Sequence, residues 1–232
     1  MNIALFGYGR MGKMIEALAE SRGHQIVARI DLDTVTIDFS QMDVAIDFST
    51  PDSAFGNISN CLKHKVPVIS GTTGWLADYD KAIQLCEEEQ GAFIYASNFS
   101  LGVNVFFELN QQLAKMMKQL RQYEVSITEI HHTQKLDAPS GTAITLAEGI
   151  LEYSDYTGWR LDEAVENKLQ IASKRIGEVP GTHTIDYKSN VDSIEIKHTA
   201  HNREGFALGA LIAAEWLVGK TGVFSMKDVL GL

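Results

Sequence analysis

Apolar residues in the first hundred positions fall in short β-branched runs: Ile3–Phe6, Gln25–Ile30, Val44–Phe48, Val66–Ser70 and Phe93–Ala96. Between them lie Met11–Arg22, Asp52–His64 and Asp78–Gln90, each long enough for a helix. Continuously apolar strands separated by helices predict a parallel sheet covered on both faces. Pro51 suits the first turn of a helix, where its missing N–H would have no partner anyway. After Phe99 the texture changes. A helical pattern covers 104–119, a strand with polar alternation covers Glu124–His131, and Pro139–Glu152 reads as loop then helix. Further strands are expected at Gln170–Arg175, His183–Tyr187 and Ser193–Ala200. Their alternation predicts an open sheet with one wet face. Arg203–Val218 is helical again and can pack back on the first domain, which makes the middle an insertion. Tyr153–Lys168 carries no clear pattern and reads as a covering loop. The expected fold is α/β: a Rossmann-type parallel sheet from 1–100 plus 203–232, with an inserted α+β domain over 101–202.

Composition changes this picture little. The 232 residues carry a net charge of −10, which argues against nucleic acid as a partner. It also requires any anion site to be locally positive. Cys61 and Cys86 fall in helical segments without metal-ligand spacing and read as free thiols of a reducing compartment. The chain opens directly on the strand-like Asn2–Phe6, with no leader pattern, and no run is long enough to span a membrane. A cytoplasmic location is expected, with no membrane partner.

Gly7-Tyr8-Gly9-Arg10-Met11-Gly12 is a G-x-G-x-x-G that follows the first strand and opens the first helix. Gly7 allows a tight turn, Gly9 lets backbone approach a pyrophosphate, and Gly12 lets helix and strand pack closely. The helix N-terminus turns free N–H groups toward phosphates, and Arg10 can add a charge-assisted contact. A tight turn without a nucleotide is the competing reading. Asp31 stands roughly 20 residues past the loop, where an acid hydrogen-bonds the ribose 2′-OH of NAD. A carboxylate there repels the 2′-phosphate of NADP, Asp33 adds a second, and no Lys or Arg is adjacent to Asp31. NADH is therefore expected to be preferred, with NADPH possible. A solvated loop aspartate is the alternative.

Ligands of open parallel sheets bind beyond the carboxyl ends of the strands. Three loops stand there: Asp47–Pro51, Gly71-Thr72-Thr73-Gly74, and Ala96-Ser97-Asn98-Phe99-Ser100. Thr72 and Thr73 offer hydroxyls beside two glycines. Asn98 and Phe99 can supply an amide and an aromatic wall near a nicotinamide.

The most informative run is Glu129-Ile130-His131-His132-Thr133-Gln134-Lys135-Leu136-Asp137-Ala138-Pro139-Ser140-Gly141-Thr142-Ala143. A histidine titrating near neutrality can donate or accept a proton, and Lys135 adds a standing charge or a second proton donor. Ser140, Gly141 and Thr142 offer N–H groups and hydroxyls at a helix start, suited to a carboxylate. The result is a small cationic pocket for a small dianion in an acidic chain. Paired histidines can ligate a metal, but no third His, Cys or paired carboxylate follows at ligand spacing, so no metal is expected.

This run, with Gly7–Gly12, Gly71–Gly74, Ala96–Ser100 leading into Gly102-Val103-Asn104, and the closing Phe224–Leu230, resembles the 4-hydroxy-tetrahydrodipicolinate reductase (dihydrodipicolinate reductase) family over essentially the whole chain. The resemblance implies NAD(P)H-dependent reduction of a cyclic unsaturated dicarboxylate in the diaminopimelate route to lysine. It implies His131 as proton donor, Lys135 as second proton donor, and His132, Ser140, Gly141, Thr142 and Arg203 as substrate contacts. Gly7, Tyr8, Gly9, Arg10, Met11, Gly12, Asp31, Gly71, Thr72, Thr73, Ala96, Ser97, Asn98 and Phe99 are implied as the cofactor site. A protonated His131 would neutralise charge developing on the substrate. The resemblance also implies a homotetramer, built by the inserted domains, that closes around its ligands. One departure is Leu32, where relatives often carry an Arg, which disfavours NADPH. Two other readings remain: a reductase of another small carboxylated imine, and a non-catalytic NADH-sensing module.

Overall fold

The computed structural model describes every residue of the chain except 32, 33 and 35, so Leu32 and Asp33 lie outside the described residues. In chain order the elements are β1 (Asn2–Phe6), α1 (Arg10–Ser21), β2 (Gln25–Ile30), β3 (Val44–Asp47), α2 (Pro51–Lys63), β4 (Val68–Ser70), α3 (Tyr79–Glu88), β5 (Ala92–Tyr95) and α4 (Leu101–Met117). Then follow β6 (Glu124–His131), α5 (Gly141–Leu151), β7 (Trp159–Leu161), β8 (Leu169–Arg175), β9 (Gly181–Lys188), β10 (Ser193–Ala200), α6 (Glu204–Leu217), β11 (Gly222–Phe224) and α7 (Met226–Leu230). Single 3-10 turns stand at Phe39–Gln41 and Leu76–Asp78. The chain divides into two compact units, Met1–Leu101 with Glu204–Leu232, and Gly102–Arg203.

The first unit is a six-stranded sheet in the order β11-β5-β4-β3-β1-β2, parallel throughout. Its central strands are apolar because helices cover both faces. Ile3, Leu5, Ile46 and Ile94 enter one core with α1 and α6, while Ala4, Phe6, Ala45 and Phe93 enter the other with α2 and α3. Each fully buried Ile, Leu or Phe contributes about 1.5–3 kcal/mol. The edge strand β2 departs from this and alternates, since an edge is covered less completely. Register levels the carboxyl ends: Phe6 pairs with Asp47, Asp47 with Ser70, and Ser70 with Tyr95. The loops that follow therefore line one edge. Gly209 lets α6 seat closely, because a Cβ there would strike the carbonyl of Phe99. The hydrophobic pattern did not foretell β11, a three-residue edge strand. Cys61 and Cys86 are free and buried, and burial pushes the Cys86 thiol up to about 11.

The second unit is a five-stranded mixed sheet in the order β10-β9-β6-β8-β7. β6 runs antiparallel to β9 and parallel to β8. Val125, Ile127, Ile171 and Ile185 form a core with Leu146, Ala147 and Ile150 of α5. The stretch expected to be a covering loop contributes β7, an edge strand paired with β8.

Candidate active site

In the first unit the glycine loop is shaped by backbone constraints. Gly7 has φ +87°, and a Cβ there would meet the carbonyl of Phe48. Its N–H donates to Ile30 O at 2.8 Å. A Cβ on Gly12 would meet the carbonyl of Gly7. At Gly9, by contrast, no described atom lies within 4 Å of where a Cβ would stand, and no side chain caps α1. An uncapped helix start beside a glycine without neighbours fits a dinucleotide pyrophosphate. Arg10 is exposed and Met11 half-buried. The hydroxyl of Tyr8 donates to Glu16, which also pairs with Arg29, and the Arg29 guanidinium lies 5.7 Å from the Tyr8 ring centre. Asp31 is exposed just past β2, and its N–H donates to Thr34 Oγ1 at 3.0 Å.

The adjoining loops are tied together by Asp47, which is wholly buried. One carboxylate oxygen accepts from Ser49 Oγ at 2.7 Å and Asn57 Nδ2 at 3.0 Å. The other accepts from Ser70 Oγ at 2.8 Å and Thr72 Oγ1 at 2.7 Å. Four donors offset the desolvation of the charge. Thr72 also accepts from Ser49 N at 2.9 Å, so its hydroxyl is committed inside the protein, whereas Thr73 is exposed. A Cβ on Gly71 would strike the Phe48 ring. Ala96 is half-buried with its N–H on Ser70 O at 3.2 Å, and Ser97 is exposed. Asn98 Oδ1 accepts from Ser100 N at 2.9 Å. Phe99 is buried in the core with its ring 5.9 Å from that of Phe48. The Phe99 ring, expected as an aromatic wall, packs in the core of this unit, and its backbone carbonyl lies against Gly209 of α6.

In the second unit, alternation along β6 turns Val125, Ile127, Glu129 and His131 to the buried face. Glu129 is fully buried. It accepts from Ser140 N at 3.1 Å on both oxygens and from Ser173 Oγ at 2.6 Å, and it pairs with Arg175 at 3.4 Å. Burial pushes this carboxyl up, but His183, Ser140 and Ser173 outweigh it and hold the group far below the usual range. Ser140 caps α5, its hydroxyl accepting from Ala143 N at 3.2 Å and standing 3.2 Å from His183 Nε2. Its side chain is thereby committed to the helix start. Gly141 and Thr142 follow in the first turn of α5, and no described atom crowds Gly141 within 4 Å.

His131 is buried, its ring 5.1 Å from that of His183. Burial lowers its pKa to about 4; Glu129 opposes the shift, while His183, Lys135 and Arg175 add to it. In the ligand-free protein the ring is therefore neutral near pH 7. Lys135 pairs with Asp137 at 2.7 Å, and its N–H closes a turn onto His132 O at 3.1 Å. Arg175 staples this turn, donating to Lys135 O at 3.3 Å and Asp137 O at 2.6 Å. His132 is half-buried, and Arg203, the last residue of this unit, is exposed. The fold thus gathers His131, Lys135 and Ser140 around Glu129, Ser173, Arg175 and His183, four residues that sequence reasoning assigned no role. The parity of β6 could have exposed Glu129, two residues before His131 on an otherwise apolar face. A cavity of about 230 Å³ lined by Met117, Tyr123, Tyr153 and Tyr187 lies by the start of β6, away from His131 at its end.

A Rossmann-type sheet with this glycine loop, and a buried acid–base cluster on a second unit, define a nicotinamide-dependent oxidoreductase. Residues 1–99 match the family model "Dihydrodipicolinate reductase, N-terminus", and residues 102–230 match "Dihydrodipicolinate reductase, C-terminus". The chain belongs to the dihydrodipicolinate reductase family. It is 62% identical to the 4-hydroxy-tetrahydrodipicolinate reductase of Christiangramia forsetii, over 99% of this chain and 98% of that one. It is 38% identical to the enzyme of the same name from Methanosarcina mazei, over 99% and 89%. A dipicolinate-bound dihydrodipicolinate reductase from Paenisporosarcina sp. TG-14 shares the fold, with a TM-score of 0.80 at 22% identity over 98% of both chains.

Proposed function

We propose that this protein reduces 4-hydroxy-tetrahydrodipicolinate to tetrahydrodipicolinate in the diaminopimelate route to lysine. A reduced nicotinamide, when bound, supplies the hydride. In this reading the first unit holds the cofactor through Gly7, Tyr8, Gly9, Arg10, Met11, Gly12, Asp31, Gly71, Thr72, Thr73, Ala96, Ser97, Asn98 and Phe99, several of them by backbone alone. Asp31 selects NADH over NADPH. Arg29, the cation nearest to it in the described sequence, is committed to Glu16 and supports that choice. The second unit supplies acid–base chemistry and carboxylate recognition. His131 delivers a proton, Lys135 supplies charge and a second proton, and His132, Ser140, Gly141, Thr142 and Arg203 contact the substrate. A dianionic substrate beside the His131 ring raises its affinity for a proton. It also draws Lys135 from Asp137. The active form is a cytoplasmic homotetramer assembled through the second unit.

The observation that carries the chemistry is Glu129, a buried carboxylate beside His131 that also receives the Ser140 amide at the start of α5. The test is loss of NADH absorbance with substrate made in situ from pyruvate and aspartate semialdehyde by the preceding synthase. A clear rate that collapses in Lys135→Ala supports substrate and site together. No rate from protein that still binds NADH removes the substrate assignment.

A further inference from the structure

Sequence spacing offers His131 no third metal ligand, but the fold does. Glu129, His131 and His183 each bring one donor atom within 4.8 Å of the others, and all three are buried. Glu129 Oε2 lies 3.5 Å from His131 Nδ1 and 3.7 Å from His183 Nε2. Both separations exceed a good hydrogen bond. Both approach the edge, about 3.4 Å, of a tetrahedron around a zinc ion with bonds of about 2.1 Å. His131 Nδ1 is buried and lacks a hydrogen-bond partner. An unsatisfied buried ring nitrogen is costly, and ligation would satisfy it.

We propose that Glu129, His131 and His183 form a Zn²⁺ site with its fourth position open, and that occupancy inhibits the enzyme. The two carboxylate oxygens divide the work. Oε1 takes Ser173 Oγ at 2.6 Å and faces Arg175 at 3.4 Å, while Oε2 faces the two imidazoles. The Ser140 amide donates to both oxygens and orients the group. Two neutral imidazoles and one carboxylate make a donor set that suits zinc and leaves magnesium, which prefers oxygen ligands, unbound. Zinc displaces the His183–Ser140 contact and disturbs the cap of α5. It also immobilises His131. Inhibition rests on the proton-transfer role proposed for His131; the binding site does not.

Calorimetric titration of zinc chloride into chelator-stripped full-length protein tests the site, with magnesium chloride as control. Zinc binding that weakens on the order of tenfold or more in His183→Gln, and is unchanged in His201→Gln at an exposed position, supports it. Equal binding in wild type and His183→Gln overturns it. Cobalt(II) added to the wild type gives a reading that needs no variant. Intense visible bands of a four-coordinate ion support the site, and a pale six-coordinate spectrum overturns it. Zinc should also stop turnover, with recovery on adding EDTA. Zinc that binds through His183 yet leaves turnover intact overturns the inhibition and the role given to His131, while the site itself stands.

Discussion

The backbone N–H of Ser140 donates to both carboxylate oxygens of Glu129, each at 3.1 Å, inside the protein. That forked contact joins the end of β6 to the start of α5. One buried charge therefore sets the position of the His131 strand and of the helix turn that carries Gly141 and Thr142. Its partners Ser173, Arg175 and His183 come from two further strands.

Glu129→Ala leaves Arg175 without its carboxylate and the Ser140 amide without an acceptor. Breaking a buried pair from one side costs about 3 kcal/mol or more. Urea unfolding should register that loss, and a loss below about 1 kcal/mol would show that the carboxylate is dispensable for the fold.

His131→Gln keeps a polar side chain of similar reach but cannot exchange a proton. It should lower kcat by about a hundredfold or more. KM should stay within a few-fold, as expected when the missing interaction belongs to the transition state. A change confined to KM would reassign His131 to substrate binding.

Acid should destabilise the ligand-free protein. The unfolded histidine binds its proton near 6.5, whereas burial holds His131 at about 4 in the fold. Between those values the unfolded state carries more protons, so stability falls as pH falls through this window. Glu129 acts in the same direction, since its depressed value makes its stabilisation complete above the ordinary carboxyl range and lost below it. The charged or titrating neighbours are Glu129, His183, Lys135 and Arg175. Thermal unfolding in chelator-containing buffer at stepped pH should show a steeper acid limb for wild type than for His131→Gln. Identical limbs would sink the assignment.

Asp31→Ala should narrow the choice between cofactors. The kcat/KM ratio of NADH to NADPH should exceed one in wild type and fall about tenfold in the variant, the worth of one charge-assisted hydrogen bond. A wild-type ratio at or below one would remove Asp31 from that role.

Gly7→Ala should abolish cofactor binding and lower stability by about 2 kcal/mol. The new Cβ meets the Phe48 carbonyl and sits at φ +87°. Tight NADH binding by the folded variant, measured by fluorescence, would show that the turn is not needed in this form.

By itself the sequence determined what local pattern can encode. Apolar runs separated by helices specified the parallel sheet, and G-x-G-x-x-G between β1 and α1 specified the turn, because backbone geometry demands glycine at Gly7 and Gly12. The His131–Thr142 run showed the groups proposed for acid–base chemistry and anion binding because they are contiguous. Tertiary structure decided everything that depends on strand register. Only the pairing of β6 with β9 sets Glu129 opposite His183, and only its pairing with β8 sets Glu129 opposite Ser173 and His131 opposite Arg175. These partners lie some 40 residues or more along the chain. No local propensity encodes such a register. It follows from which faces must be buried, and that packing also made Asp47 a structural hub, drew Phe99 into the core, and held His131 neutral.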